Sequence, residues 1–149
     1  MNCKMKKFLI ITSFLFFLLF FNAENSFACD CKGSGSVENS LFYSKVVFSA
    51  QVLNITTNKS KYLIKIIKLK LIKSWKGNLA KTFTITTKLN QGNCGYEFVK
   101  GKTYLIYANG EDNKTLSTNI CTRTAELASN KDVEILDKIK TEKLSVKEL

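Results

Sequence analysis

Cys29, Cys31, Cys94 and Cys121 impose long-range closure on this chain before any strand or helix is considered. A fifth cysteine, Cys3, lies in a stretch that reads as a removable leader. Lys4, Lys6 and Lys7 precede an apolar run from Phe8 to Phe21, and a polar segment ends Ser26-Phe27-Ala28. The small residues at Ser26 and Ala28 match a secretory cleavage site, and the apolar run falls short of the roughly 20 residues that span a bilayer. Residues 1–28 are therefore expected to be a signal peptide, with no transmembrane span in the mature chain. An even set of four cysteines in a secreted chain of this size argues for two disulfides. A Cys29–Cys31 bridge would close a very small, strained ring, so both are expected to reach to Cys94 and Cys121, in either of two pairings. A structural zinc site is the rival use of four cysteines. Such sites come as paired C-x₂₋₄-C, whereas Cys94 and Cys121 are isolated, and disulfides are preferred.

Cleavage after Ala28 leaves a single domain over residues 29–149, in which 141–149 are expected to continue a helix or fray. The formal net charge of +11 falls to +9 when three Lys and Glu24 leave with the leader. A positive balance can serve nucleic acid or anionic membranes, but Arg123 is the only arginine and no aromatics interleave with the lysines. Readers of nucleic acid lean on both, so no nucleic-acid partner is expected. The chain has no His, which removes Ser-His and Cys-His nucleophilic catalysis and imidazole-bound metals. Glu38, Asp112, Asp132 and Glu134 read as solvated or capping charges, not as an acid–base pair. No enzyme activity and no cofactor are expected.

Hydrophobic patterning predicts a mainly β domain. Val37, Leu41 and Phe42 stand at helical spacing, so Val37–Ser44 is a short N-terminal helix. Val46–Thr57 is rich in β-branched residues and reads as a strand, followed by a turn over Asn58-Lys59-Ser60-Lys61. Tyr62–Trp75 is a long strand whose apolar parity changes over Ile66-Ile67-Lys68, the mark of a bulge where a strand bends round a small barrel. Lys81–Leu89 alternates strictly, with Phe83, Ile85, Thr87 and Leu89 on one face. Gln91–Tyr96 is a glycine-rich loop pinned by Cys94. Lys100-Gly101-Lys102 turns into the strand Thr103–Ala108, and Asn109-Gly110 signals a hairpin to Thr115–Ile120. Ser129-Asn130-Lys131-Asp132 suggests a capped C-terminal helix with Val133, Leu136 and Ile139 on one side. Trp75, Tyr96, Tyr104 and Tyr107 are expected in the core and on strand faces. Five strands with these helices make an OB-fold-like closed barrel, the C-terminal helix packed against it.

The order of motifs resembles the tissue inhibitor of metalloproteinases family in its netrin-like domain, especially its short single-domain bacterial-type members. The series runs from Cys29-Asp30-Cys31 through Val46–Val52, Trp75-Lys76-Gly77 and Cys94-Gly95-Tyr96-Glu97-Phe98 to Tyr104–Ala108 and Cys121-Thr122-Arg123-Thr124. The resemblance implies the pairing Cys29–Cys94 and Cys31–Cys121 and a secreted, monomeric protease inhibitor. In it the α-amine and carbonyl of Cys29 chelate the catalytic zinc of a target metalloprotease, and the Asp30 side chain enters the specificity pocket. An α-amine has a reference pKa of about 7.7–8.0, so a usable fraction is neutral near neutral pH, and a catalytic zinc keeps one position open. Asp30 stands where the animal inhibitors carry Thr or Ser. A carboxylate driven into an apolar pocket must be desolvated or protonated, which implies weak inhibition of an ordinary matrix metalloprotease. Two other fates are open: a netrin-like binding module without inhibitory activity, and a lipoprotein anchored through Cys29, for which Ser26 replaces the usual Leu of the lipobox.

Overall fold

The computed structural model describes residues 29–31, 35–58, 63–89, 93–110, 115–129 and 131–147. The expected signal peptide, residues 59–61 of the expected turn, Tyr62 at the start of the next expected strand, residues 90–92 and Asp112 lie outside them. Asn58, expected in the turn, is the last residue of the first strand. Helix α1 (Val37–Tyr43) starts at Ser36, whose Oγ accepts from the Asn39 amide at 3.2 Å, the usual way an N-cap satisfies an orphan donor. Strands β1 (Val46–Asn58), β2 (Ile64–Lys76), β3 (Thr82–Lys88), β4 (Thr103–Ala108), β5 (Leu116–Ser117) and β6 (Ala125–Glu126) follow. A 3₁₀ turn (Leu127–Ser129) and helix α2 (Asp132–Lys147) close the described chain.

The strands form one mixed sheet of order β5-β3-β2-β1-β4-β6. The β1–β2, β2–β3, β1–β4 and β4–β6 ladders are antiparallel and β3–β5 is parallel. The strand number is corrected: the described residues form six strands, not five, because Ala125–Glu126 pairs with Tyr104–Leu105. Among the described residues the sheet is not closed by a ladder, and β4 and β5 are joined by one isolated antiparallel bridge, Asn109–Ser117. The hairpin expected after Asn109-Gly110 is present as one antiparallel pair, in which Asn109 and Ser117 exchange both backbone hydrogen bonds at 2.9 and 2.6 Å. Its second strand is the two-residue β5, parallel to β3, and not Thr115–Ile120. Beyond Ser117, the Thr118 amide still donates to the Thr86 carbonyl of β3 at 3.1 Å, and its hydroxyl donates to the Tyr107 carbonyl.

The long strands bend where register shifts insert single residues, at Trp75 and Ile72 of β2 and at Leu53 of β1. The change of side expected within Ile66-Ile67-Lys68 is carried by the partner strand. Ile67, Leu69 and Leu71 keep one face, and the extra residue opposite Lys68 and Leu69 is Leu53. Gly77 ends β2 with φ of 89° and packs directly on Val46. A side chain there would be strained by the backbone and would overlap Val46.

Strict alternation on β1 and β4 builds two clusters. Phe48, Ala50, Val52, Tyr104, Ile106 and Ala108 point to one side with Ile67, Leu69 and Ile85. Val47, Leu105 and Tyr107 point to the other, where α1 supplies Val37 and Leu41 and α2 supplies Leu136 with Val133 and Ile139. The helix spacing of Val133, Leu136 and Ile139 accounts for the second layer.

Candidate functional site

The sheet presents two loops side by side at one end, and the segment Cys29-Asp30-Cys31 is tied across them. Cys29 is bridged to Cys94, with Cα atoms 5.6 Å apart, and Cys31 to Cys121, at 5.1 Å. Of the two pairings left open by ring size, this is the one adopted. The two anchor loops are themselves joined, since the Ile120 amide donates to the Cys94 carbonyl at 3.1 Å. Cys94 takes φ of 63°, a left-handed conformation that non-glycine residues rarely adopt. Asp30 is exposed between two half-buried cystines.

Short-range polar chemistry fixes the Cys121 loop. Asn119 Oδ1 accepts from the amides of Cys121 and Thr122 at 2.8 and 3.1 Å, an Asx turn. Behind it, Thr118, Thr122 and Thr124 share hydroxyl hydrogen bonds of 2.8–3.0 Å. Thr124 Oγ1 accepts from the Tyr107 amide at 3.1 Å, and Thr118 Oγ1 donates to the Tyr107 carbonyl at 3.0 Å. The loop is thereby fastened to the centre of the sheet. The Cys94 loop is fastened through Tyr96, whose amide donates to Thr87 Oγ1 at 2.8 Å, and through the Val99 amide to the Tyr104 hydroxyl at 2.9 Å. The Tyr96, Phe98 and Tyr104 rings pack with centroids 4.8–5.9 Å apart. Burial, before all else, raises the Tyr96 phenol above its ordinary range.

Arg123 joins this loop to the helical layer. Its Nε and Nη2 donate to the Asp132 carboxylate, the latter at 3.0 Å, and its Nη1 donates to the Gly35 carbonyl at 2.7 Å. The Tyr107 hydroxyl reaches the same carboxylate at 3.5 Å. The hydrogen bond to Asp132 raises the Arg123 pKa further, and burial followed by the Asp132 charge pushes the Tyr107 phenol well up. Asp132, in the first turn of α2, is therefore a buried clamp and not a solvated charge; Arg123 neutralises it bidentately, as a guanidinium fork suits a carboxylate. Glu38 and Glu134 are exposed, as expected. The one sequence signal for the clamp is a lone Arg among many Lys, two residues beyond Cys121.

A recess of about 160 Å³ lies beside the Cys121 loop, among Tyr43, Asn109, Cys121 and Arg123. At the far side of the outer layer, the Trp75 indole donates to Asp137 at 2.6 Å, and Lys73 pairs with the same carboxylate at 2.6 Å. Lys73 first, then the indole, holds the Asp137 carboxyl below its ordinary range. Trp75 is half-buried against the helices, while Tyr104 and Tyr107 are buried strand residues. Among the described residues no helix is long and apolar enough to cross a membrane. No protein-family profile matches the chain, and no curated protein matches it.

Proposed function

We propose that this chain is exported and cleaved before Cys29, and that it inhibits a zinc metalloendopeptidase through the new terminus. The Cys29 α-amine and carbonyl would fill the open coordination position of the target's zinc, and Asp30 would enter the adjoining specificity pocket. The observation that carries the reading is the double anchoring. Cys29 and Cys31 are bridged to loops that are hydrogen-bonded to each other, with Asp30 exposed between them. A terminus held in this way loses little further freedom on docking, and the ordering cost of association falls accordingly. The Asn109–Ser117 bridge supports a further part of the reading, that the sheet curls towards a netrin-like barrel with its seam at this point.

A second reading is favoured by a different observation. Phe42 and Tyr43 are 74% and 77% exposed, with ring centroids 5.1 Å apart. Aromatic residues presented in this way suit a protein-binding module without inhibitory activity.

Protein beginning at Cys29 and protein with one Ala added before Cys29 separate the two in assays against a panel of zinc metalloendopeptidases. The inhibitor reading expects the added Ala to abolish inhibition, because the amine moves off the chelating residue. It also expects Asp30→Thr to strengthen inhibition of enzymes with apolar pockets, by removing the carboxylate that must be desolvated. Inhibition that survives the extension, no inhibition by either form, or a mass showing acylated Cys29 overturns it.

A further inference from the structure

The groove between α1, α2 and the end of β2 has no role in the inhibitor reading above. Its volume is about 520 Å³, within the roughly 300–1,000 Å³ of small-molecule sites. Leu41, Leu136, Ile139 and the Trp75 indole line it, and Phe42 forms an exposed wall. The rim is basic: Lys76, Lys140 and Lys143 face it, against the single carboxylate of Glu38. Lys76 Nζ donates to the carbonyls of Leu41 and Phe42 at 2.9 and 2.8 Å, and Lys140 Nζ donates to the Ser74 carbonyl at 2.7 Å. These bonds hold two ammonium groups at the groove mouth. Each carries three hydrogens, so capacity remains for an acceptor. The nearby acid, Asp137, is already engaged by Lys73 and the Trp75 indole.

We propose that this groove binds a single-chain anionic amphiphile, a long-chain fatty acid, with its acyl chain along Leu41, Leu136, Ile139 and Trp75 and its carboxylate at Lys76, Lys140 and Lys143. Charge complementarity selects this occupant. An apolar floor alone would accept any hydrocarbon, but three ammonium groups at its mouth favour an anionic head. A second copy of the chain is disfavoured by the same charges, since the chain cleaved before Cys29 would bring a formal net charge of +9 against another of equal sign.

Trp75 is the only tryptophan and lies in the groove, so its emission reports occupancy. Oxidised protein purified from cells expressing the full chain is titrated with hexadecanoate below its aggregation concentration. A saturable shift in emission is expected. Tetradecanoate, two methylenes shorter, should bind roughly tenfold more weakly. Hexadecanol and hexadecyltrimethylammonium should also bind roughly tenfold more weakly or worse, for want of charge-assisted hydrogen bonds. Lys143→Glu should weaken hexadecanoate severalfold while leaving hexadecanol unchanged. Phe42→Ala, at an exposed position that the fold does not need, should weaken both. The proposal is overturned by no saturable shift, by equal binding of the quaternary ammonium, or by unchanged hexadecanoate affinity in Lys143→Glu. An emission shift with an acidic amphipathic peptide but none with hexadecanoate would assign the groove to a protein partner and also overturn it.

Discussion

The two faces of β1 and β4 are packed by different physics. On one face Phe48, Ala50, Ile106 and their neighbours pack as an apolar cluster, with Phe48 and Phe83 edge to face at 5.1 Å, and polar bonds enter it only at its edge, through the Tyr104 and Thr87 hydroxyls. On the other face Val47, Leu105 and Tyr107 are covered by helices whose placement depends on polar ties. These are Arg123 to Asp132, Trp75 to Asp137, and Lys76 to the last carbonyls of α1. Apolar packing dominates the first cluster, whereas ion pairs and hydrogen bonds between elements orient the second. The difference shows how one sheet can present a rigid cystine-tied end and still carry an open groove among its helices.

The largest expected effect tests this contrast directly. Phe48→Ala empties a fully buried site in the apolar cluster, and should cost about 3–5 kcal/mol of unfolding free energy. Leu136→Ala, equally buried but lying beside the groove, opens a space that water and neighbouring side chains can reach. A cost of about 2–3 kcal/mol is expected there, at the lower end for such truncations. Denaturant unfolding of both variants measures the gap, and equal losses would remove the distinction between the faces.

Breaking a polar tie of the outer face comes next. Asp132→Ala strands the partly buried Arg123 guanidinium and removes the acceptor of Tyr107. Loss of one partner from such a pair should cost about 2–4 kcal/mol. The comparison variant is Glu126→Gln, which breaks the exposed pair with Lys102. Exposed pairs contribute little, so its denaturation midpoint should match that of the parent. A midpoint shift as large as that of Asp132→Ala would show that burial does not set the value of these pairs.

The two faces also differed in how far the sequence revealed them. Period-two alternation through Phe83, Ile85 and Thr87 and the β-branched run from Val46 announced the inner sheet, and the 3-3 spacing of Val133, Leu136 and Ile139 announced the helix that covers the outer one. The Arg123–Asp132–Tyr107 clamp was not legible. It joins residues from three elements whose approach depends on the Cys121 loop, and Asp132 alone looks like an ordinary capping acid. The second strand of the expected hairpin is shorter than Thr115–Ile120 for a related reason. Thr118 suits a strand by type, but its hydroxyl bonds the Tyr107 carbonyl and the hydroxyls of Thr122 and Thr124 in the Cys121 loop. The bulge near Lys68 was sensed as a change of parity, yet one strand's pattern cannot say whether it or its partner carries the extra residue. The cysteine segment was legible in part: ring size left two pairings open, and the pairing adopted is the one the family resemblance implied.

The smallest expected effect uses pH to ask which face titrates. Burial, and then the neighbouring Asp132 charge, raises the Tyr107 phenol, so the folded state prefers it neutral. An unfolded tyrosine ionises near pH 10. Below that pH both states hold the proton and the contribution to stability is complete. Above it the unfolded chain releases the proton first, and stability declines as pH rises towards the folded value. One such group gives at most about 1.4 kcal/mol per pH unit. Tyr107→Phe keeps the ring, gives up only a long hydrogen bond of 3.5 Å, and should flatten part of this decline when thermal midpoints are compared between about pH 9 and 11. Tyr96, raised chiefly by burial, supplies the matching test on the inner side, because Tyr96→Phe removes a phenol that touches no charged clamp. A greater flattening by Tyr107→Phe is expected, since the Asp132 charge adds to burial there. If Tyr96→Phe flattened the curve more, alkaline sensitivity would belong to the aromatic cluster and the charge-dependent account of the helical face would fail.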